Sequence, residues 1–260
     1  MPEDHGAQYA DDRNLAARQR LWAISPREPG FDLFGWVLGL ADIDPGGTQR
    51  VLDVGCGNGA YERALAARGH RGPVVAVDLS AGMLAHVPGA ASAQADVQQL
   101  PFLTDRFDVV LAPHMLYHVA DIEAAAAECR RVLHPSGRFV AVTNGDANLA
   151  ELRTLIEGAA GGGWRMERPS DRRFSMENGA SRLQSAFASV TRVDAPAGKI
   201  LVTDPDALAG YVASVRDLYE PQIAGSWADV VGSVRDSATA HIAAKGALRF
   251  TSSVGAFVCC

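Results

Sequence analysis

The chain lacks the features that mark several protein classes. Its 260 residues include only four cysteines, Cys56, Cys129, Cys259 and Cys260. They form no CxxC pair and no framework spacing, so neither a disulfide scaffold nor a cysteine-built zinc site is indicated, and reduced thiols in a cytoplasmic protein are expected. Basic residues are also short: 24 Lys and Arg stand against 30 Asp and Glu, a net charge of -6. A duplex-binding protein needs a basic surface to release phosphate counterions, so nucleic acid is not an expected partner. No stretch approaches the roughly 18 uninterrupted apolar residues of a membrane span. The most apolar early segment, Phe31 to Ala41, is broken by Asp32 and two glycines. The acidic start, Met1 to His5, does not resemble the cationic opening of a secretory signal. What is present is a globular composition, 48% hydrophobic and 21% charged, with enough apolar residues for a sizeable core.

From Arg50 onward, short β-branched runs alternate with helical patterns. Strands are expected at Arg50–Val54, Val74–Asp78, Ser92–Asp96, Arg106–Ala112 and Arg138–Thr143. Helices are expected at Tyr61–Arg68, in a short turn capped by Ser80 that includes Met83, and from the Asp121 cap to Leu133, with His134 to Gly137 as a turn. This rhythm predicts a doubly wound α/β fold, a Rossmann-like parallel sheet with helices on both faces. Beyond Asn144 the pattern predicts helices at Asn148–Glu157, Ser181–Phe187, Asp204–Tyr219 and Trp227–Ala244. A strand is expected at Val190–Val193, and a closing one at Val254–Cys259. No linker or repeat is visible. The expected organisation is one domain: a helical lid over residues 1–47, a ligand-binding core over 48–143, and a capping part over 144–260.

The segment Asp53 to Gly59 places three glycines at a strand-to-helix turn, where backbone can approach a ligand closely. Gly55, Gly57 and Ala60 also satisfy a loose dinucleotide pattern, so the glycines alone decide little. The flanking acids decide more. Asp53, Asp78 and Asp96 fall at or just beyond the ends of the first three strands, so the fold should gather them at one edge of the sheet, beside the switch point. Three carboxylates there oppose a pyrophosphate, which disfavours a nicotinamide enzyme. They suit a ligand with cationic groups and a ribose diol, and S-adenosylmethionine has both.

The sequence resembles the class I S-adenosylmethionine-dependent methyltransferases, in a branch acting on small molecules. The resemblance rests on Val51 to Gly59, Val75 to Ser80, Ala95 to Val97 before Leu100 to Phe102, Phe107 to Ala112, and Arg131 to Gly137. It covers residues 48 to 143 strongly, with one departure at His134 to Gly137, where the family more often has Lys-Pro-Gly-Gly. It implies a seven-stranded, mostly parallel sheet whose last strand is antiparallel and inserted between its neighbours. It also implies roles. Gly55, Cys56 and Gly57 would bring backbone against the methionine part, with Asp53 ordering that loop and meeting the ammonium. Asp78 would hold the ribose hydroxyls, and Leu79 and Met83 would face the adenine. Asp96 and the Val97 amide would read the adenine edge, and Ala112 would lie beneath the methionine chain. Tyr9 and Arg18, on a helix that can close over the cofactor, complete the expected cofactor site.

Methyl transfer is an in-line displacement at an activated carbon, so alignment supplies much of the acceleration, and a base is needed only when the acceptor must lose a proton. His114 and Tyr117, leaving the fourth strand where the family places the reacting methyl, are the expected base or substrate orienter. His118 is next, with packing against the cofactor loop as its alternative. The spacing of His114 and His118 would suit a shared metal on a helix, but no third ligand is near, so no metal is expected. Arg165, Arg168, Arg172 and Arg173 form either an anion-receiving cluster or, interleaved with Glu167 and Asp171, a solvated charged loop. Trp164, Phe174, Tyr211, Tyr219 and Trp227 either line a substrate pocket or form the core of the cap. The expected activity is methylation of an oxygen or nitrogen of a small metabolite in specialised metabolism. The alternative is a protein that binds the cofactor for C-methylation or for a non-methylating role.

Overall fold

The computed structural model describes residues 13–260. Ten strands are present: β1 Arg27–Glu28, β2 Val51–Val54, β3 Val74–Asp78, β4 Ala91–Gln94, β5 Phe107–Pro113, β6 Leu133–Asn144, β7 Val190–Asp194, β8 Gly198–Val202, β9 Leu248–Ser252 and β10 Val254–Cys259. Seven of them form one sheet in the order β4-β3-β2-β5-β6-β10-β7. The pairs from β4 through β6 are parallel. β10 runs antiparallel between β6 and β7, as the resemblance implied. The chain leaves β2 toward β3 on one side and later returns to β5 on the other. The loops after β2 and β5 therefore diverge at the switch point, where such sheets hold their ligands.

Strand alternation explains the two layers. Leu52, Val54, Val110, Phe139 and Phe257 point to one face and pack with Ala125, Cys129 and Val132 of the helix Ile122–Val132. Val51, Val109, Leu111, Val140 and Ala256 point to the other, against Leu38 of the helix Leu33–Leu40 and Leu65 of the helix Ala60–Ala67. A sheet covered on both faces needs near-continuous apolar strands, and the central β2 and β5 provide them.

Four boundaries shift from those expected. The third core strand ends at Gln94, which leaves Asp96 in the loop beyond it. The helix Ala150–Ala160 and the short helix Gly179–Leu183 are displaced from the expected segments by a few residues. The fifth core strand starts at Leu133, so His134 to Gly137 lie within β6 rather than in a turn; Leu133 pairs with Phe107 across an irregularity in register. A second sheet, β1-β8-β9, was not expected. It packs with the helices Arg13–Ile24, Ala150–Ala160, Pro205–Ala213 and Trp227–Lys245 around a separate core that includes Leu21, Val202, Leu208, Tyr219, Trp227 and Phe250. Trp227 is 1% exposed, and its indole donates to the Val212 carbonyl at 2.9 Å. Phe174, Tyr219 and Trp227 are thus core residues. No helix among the described residues is long and apolar enough to cross a membrane.

The Phe174–Phe257 contact joins β10 to the segment preceding the helix Gly179–Leu183, with ring centroids 5.6 Å apart. Both rings are fully buried. Phe257→Ala should destabilise the fold by about 3–5 kcal/mol, read as a lowered denaturation midpoint with little change in slope.

Candidate functional site

The glycine loop after β2 is built by backbone that other residues do not readily adopt. Gly55, Gly57 and Gly59 all have positive φ, at 66°, 57° and 84°. The space matters as much as the torsion. A Cβ on Gly55 would stand 2.6 Å from the Cβ of Met115, and one on Gly57 would stand 3.1 Å from Leu15. The loop is thus wedged between the segment after β5 and the N-terminal helix Arg13–Ile24. That helix is docked by a reciprocal amide pair. Gln19 Nε2 donates to Asn58 Oδ1 at 3.1 Å, and Asn58 Nδ2 returns a bond to Gln19 Oε1 at 2.9 Å. Asp78, at the end of β3, anchors the loop from the other side. Its carboxylate accepts from the Gly57 amide at 2.9 Å and from the Ser80 amide at 2.8 Å.

Asp53 and Glu62 form the most unusual feature. Asp53 shares strand parity with Val51, so it points to the face covered by the helix Ala60–Ala67, where Tyr61, Glu62 and Leu65 are buried. Asp53 is 0% exposed and Glu62 is 4% exposed. Apart from each other and a contact of Glu62 with its own backbone, their four carboxylate oxygens have no hydrogen-bond partner among the described residues. Two acceptors can be joined only by a proton. Burial, then the charges of Glu62 and Asp78, hold Asp53 well above the usual carboxylate range. Burial raises Glu62 too, against its own backbone contact, its bond with Asp53 and the charge of Arg63. Both directions favour a proton held between the two carboxyls. The same acids, together with burial, push the Cys56 thiol far up, which leaves it unreactive.

Among the other expected cofactor residues, Leu79 is 68% exposed beside Asp78 and presents an apolar face to an incoming ring. Met83, Val97 and Ala112 are buried. Both oxygens of Asp96 accept from Gln98 Nε2, at 3.0 and 2.9 Å, a partner the sequence did not suggest. Arg18 Nε donates to the Asn14 carbonyl within its own helix. Tyr9 lies outside the described residues. Sequence reasoning missed Glu62, Gln19, Asn58, Gln98 and Met115. Glu62 had a signal, its i+3 spacing to the inward Leu65; the others are tertiary encounters with no local mark.

The segment after β5 brings His114, Tyr117 and His118 to the same mouth. His114 has φ 56°, a left-handed conformation uncommon for a non-glycine residue, and its amide donates to Val142 O at 2.9 Å. Burial lowers its imidazole to about 4. Tyr117 and His118 sit on a short turn, with ring centroids 4.5 Å apart. The Arg172 guanidinium lies 5.4 Å from the Tyr117 ring centroid, donates to the Tyr219 hydroxyl at 3.2 Å and stands 3.4 Å from Glu167. Of the four expected arginines, Arg172 and Arg173 reach this segment, the latter by donating to Val119 O at 3.3 Å. Arg165 instead pairs loosely with Glu157. No group of three or more potential metal ligands occurs among the described residues.

The arrangement offers buried acids for a cation, a glycine cradle for close backbone approach and an exposed apolar face for a ring. Residues 52–141 match a family described as a methyltransferase domain. A malonyl-(acyl-carrier protein) O-methyltransferase from Methylococcus capsulatus is 34% identical over 138 residues, covering 50% of this chain and 49% of that protein. Another, from Erwinia pyrifoliae, is 29% identical over 180 residues, covering 68% and 59%. The chain spans about half the length of the curated relatives it matches. The crystal structure of a protein described as a methyltransferase from an antibiotic biosynthesis pathway of Anabaena variabilis superposes with a TM-score of 0.64 at 16% identity, covering 88% of this chain and 96% of that one. The fold is that of class I methyltransferases.

The buried acid pair gives stability a definite pH dependence. A raised folded-state pKa contributes stability that is present below the ordinary carboxylate range and lost as pH rises through the raised value. The ligand-free protein should therefore melt at progressively lower temperature as pH is raised above 5. Glu62→Gln, which lets an ionised Asp53 accept an amide bond, should flatten that slope. Equal slopes for the two proteins would show that Glu62 takes no part in the proton uptake.

Proposed function

We propose that this chain is a class I S-adenosylmethionine-dependent methyltransferase that transfers a methyl group to an oxygen or nitrogen of a small acceptor. The observation that carries this reading is the set of carboxylates around a glycine cradle at the switch point, a polarity that suits a cationic nucleoside and opposes a dinucleotide. In it, Gly55 and Gly57 offer backbone to the methionine part, with Ala112 beneath. Asp78, already oriented by two amides, accepts from the ribose hydroxyls. Leu79 and Met83 flank the adenine, and its amino group takes the place of Gln98 on Asp96. When bound, the sulfonium supplies an activated methyl carbon and a neutral leaving group. The chain's own task is then alignment and exclusion of water.

The segment from His114 to His118 forms the acceptor side. An imidazole lowered to about 4 is neutral at physiological pH but a weak base, so His114 orients the acceptor rather than removing a difficult proton. Arg172, over Tyr117, supplies the cation of that side. It supports an anionic acceptor, such as a carboxylate, whose oxygen is already deprotonated and needs no base. The matched relatives, named for malonyl-(acyl-carrier protein), make a carrier-linked or free short carboxylic acid the first acceptor class to try. Such an enzyme works in the cytoplasm on a small molecule, without nucleic acid or membrane.

Incubation with methyl-labelled cofactor and panels of carboxylic acids, amines and phenols tests the reading. Label should enter an acid, and binding without any product would favour a non-methylating role. Asp78→Ala should weaken S-adenosylhomocysteine at least about tenfold in calorimetry on folded protein, through loss of charge-assisted bonds. His114→Gln should lower kcat about tenfold to a hundredfold with cofactor affinity retained, the scale of lost alignment. The rate should show no His114 ionisation near pH 6.5. A step there that vanishes in the variant would mean that His114 is a base after all.

A further inference from the structure

The proposed cofactor reading accounts for Asp53 but leaves Glu62 unexplained. A glutamate on the helix Ala60–Ala67 has every opportunity to face water, yet this one is 4% exposed and faces a second buried carboxyl. Ionising such a group without a partner costs several kcal/mol, and the usual escape is to take up a proton. Among the described residues no cationic side chain donates to either carboxyl. Asp78 and the Cys56 thiol approach from the loop and strand side. Tyr61 lies on the same helix with its hydroxyl buried and unpartnered among the described residues, and Asp32 acts on it from the preceding helix cap. Arg63 is the nearest cation, but its guanidinium is committed to the carbonyl and side chain of Asn58, at 2.7 and 3.2 Å. The pair also lies against the cradle: a Cβ on Gly59 would come within 3.4 Å of Glu62 Oε2. Buried carboxylate oxygens with no cationic donor, set under a loop whose glycines admit a ligand, call for an incoming cation.

We propose that Asp53 and Glu62 share one proton in the ligand-free protein and release it to solvent when the ammonium of the cofactor's methionine part takes its place. The exchange balances charge. The pair with its proton carries one negative charge, and the ionised pair with an ammonium carries the same. The buried seam thus never holds two bare anions. Glu62 is then a positioning residue for the cofactor, and binding is linked to pH. This rests on the cofactor reading above.

The test is titration calorimetry of the full chain with S-adenosylhomocysteine between pH 6 and 7, where the ligand's amine is protonated. Each titration is repeated in buffers of different ionisation enthalpy. Wild-type binding should release a proton, approaching one per ligand, and affinity should rise with pH by up to about tenfold per unit. In Glu62→Gln the charge and the bond of Glu62 are gone while burial and Asp78 still act on Asp53, so release and pH dependence should both shrink. Binding without proton release in the wild type, or release unchanged in Glu62→Gln, would overturn the proposal while leaving the cofactor assignment intact. Absence of any binding would overturn both. Should Glu62→Gln not fold, the wild-type pH dependence of affinity decides alone: rising supports the exchange and flat refutes it.

Discussion

A carboxyl group in an apolar seam imposes conditions on everything around it, and this protein has two of them between β2 and the helix Ala60–Ala67. No cationic side chain among the described residues donates to either, and Asp78 stands close enough to add its own charge. Desolvation at that depth outweighs any surface ion pair, most of which contribute less than about 1 kcal/mol. The seam is tolerable only with a proton or a cation in it. The left-handed glycines, the amide bonds to Asp78 and the docked N-terminal helix belong to one construction around that seam. Each holds the loop in place without supplying the missing charge.

The acceptor side is built on different physics. There the segment after β5 is held by apolar contact, with Met115 against Gly55, and by the His114 amide bond to β6. Its polar groups come from the opposing layer, where Arg172 bridges Tyr117 and Tyr219. Tyr219 in turn stacks on Trp227 in the core of the second sheet, with centroids 5.8 Å apart. A change in the packing of that core would move Arg172 relative to Tyr117 without disturbing the glycine loop after β2. The glycine loop is thus set by backbone, and the polar groups facing the segment after β5 are set by a separately packed layer.

The parallel core was legible because its signals are local. Val51 to Val54, Val74 to Asp78 and Phe107 to Pro113 are short β-branched or apolar runs ending at turns, and the acids at their ends follow from strand order alone. The second sheet was not legible. β8 and β9 are five residues each and pair across 45 intervening residues, so neither carries a periodic mark of its own. At the site, charge concealed the key residue. Glu62 occupies an inward helical position, yet a glutamate there reads as a solvated face unless its spacing to Leu65 is weighed against its type. His114 was found by its place in the chain, but nothing local announces its left-handed backbone or the burial that lowers its imidazole.

The two halves meet at Met115. Its side chain fills the space a Cβ on Gly55 would need, so the loop that would cradle the methionine part and the segment that would carry the acceptor are in direct contact. A rigid contact of this kind fixes the distance between donor and acceptor sides more tightly than hydrogen bonds across a solvent gap. In-line displacement rewards that rigidity, because its rate depends steeply on the separation and angle of the reacting atoms. It also explains why glycine, rather than alanine, stands at position 55 even apart from its torsion. Any larger residue would push the segment from His114 to His118 outward. The loop beside the buried acids is thus tied, through one glycine and one methionine, to the segment that carries His114, Tyr117 and His118.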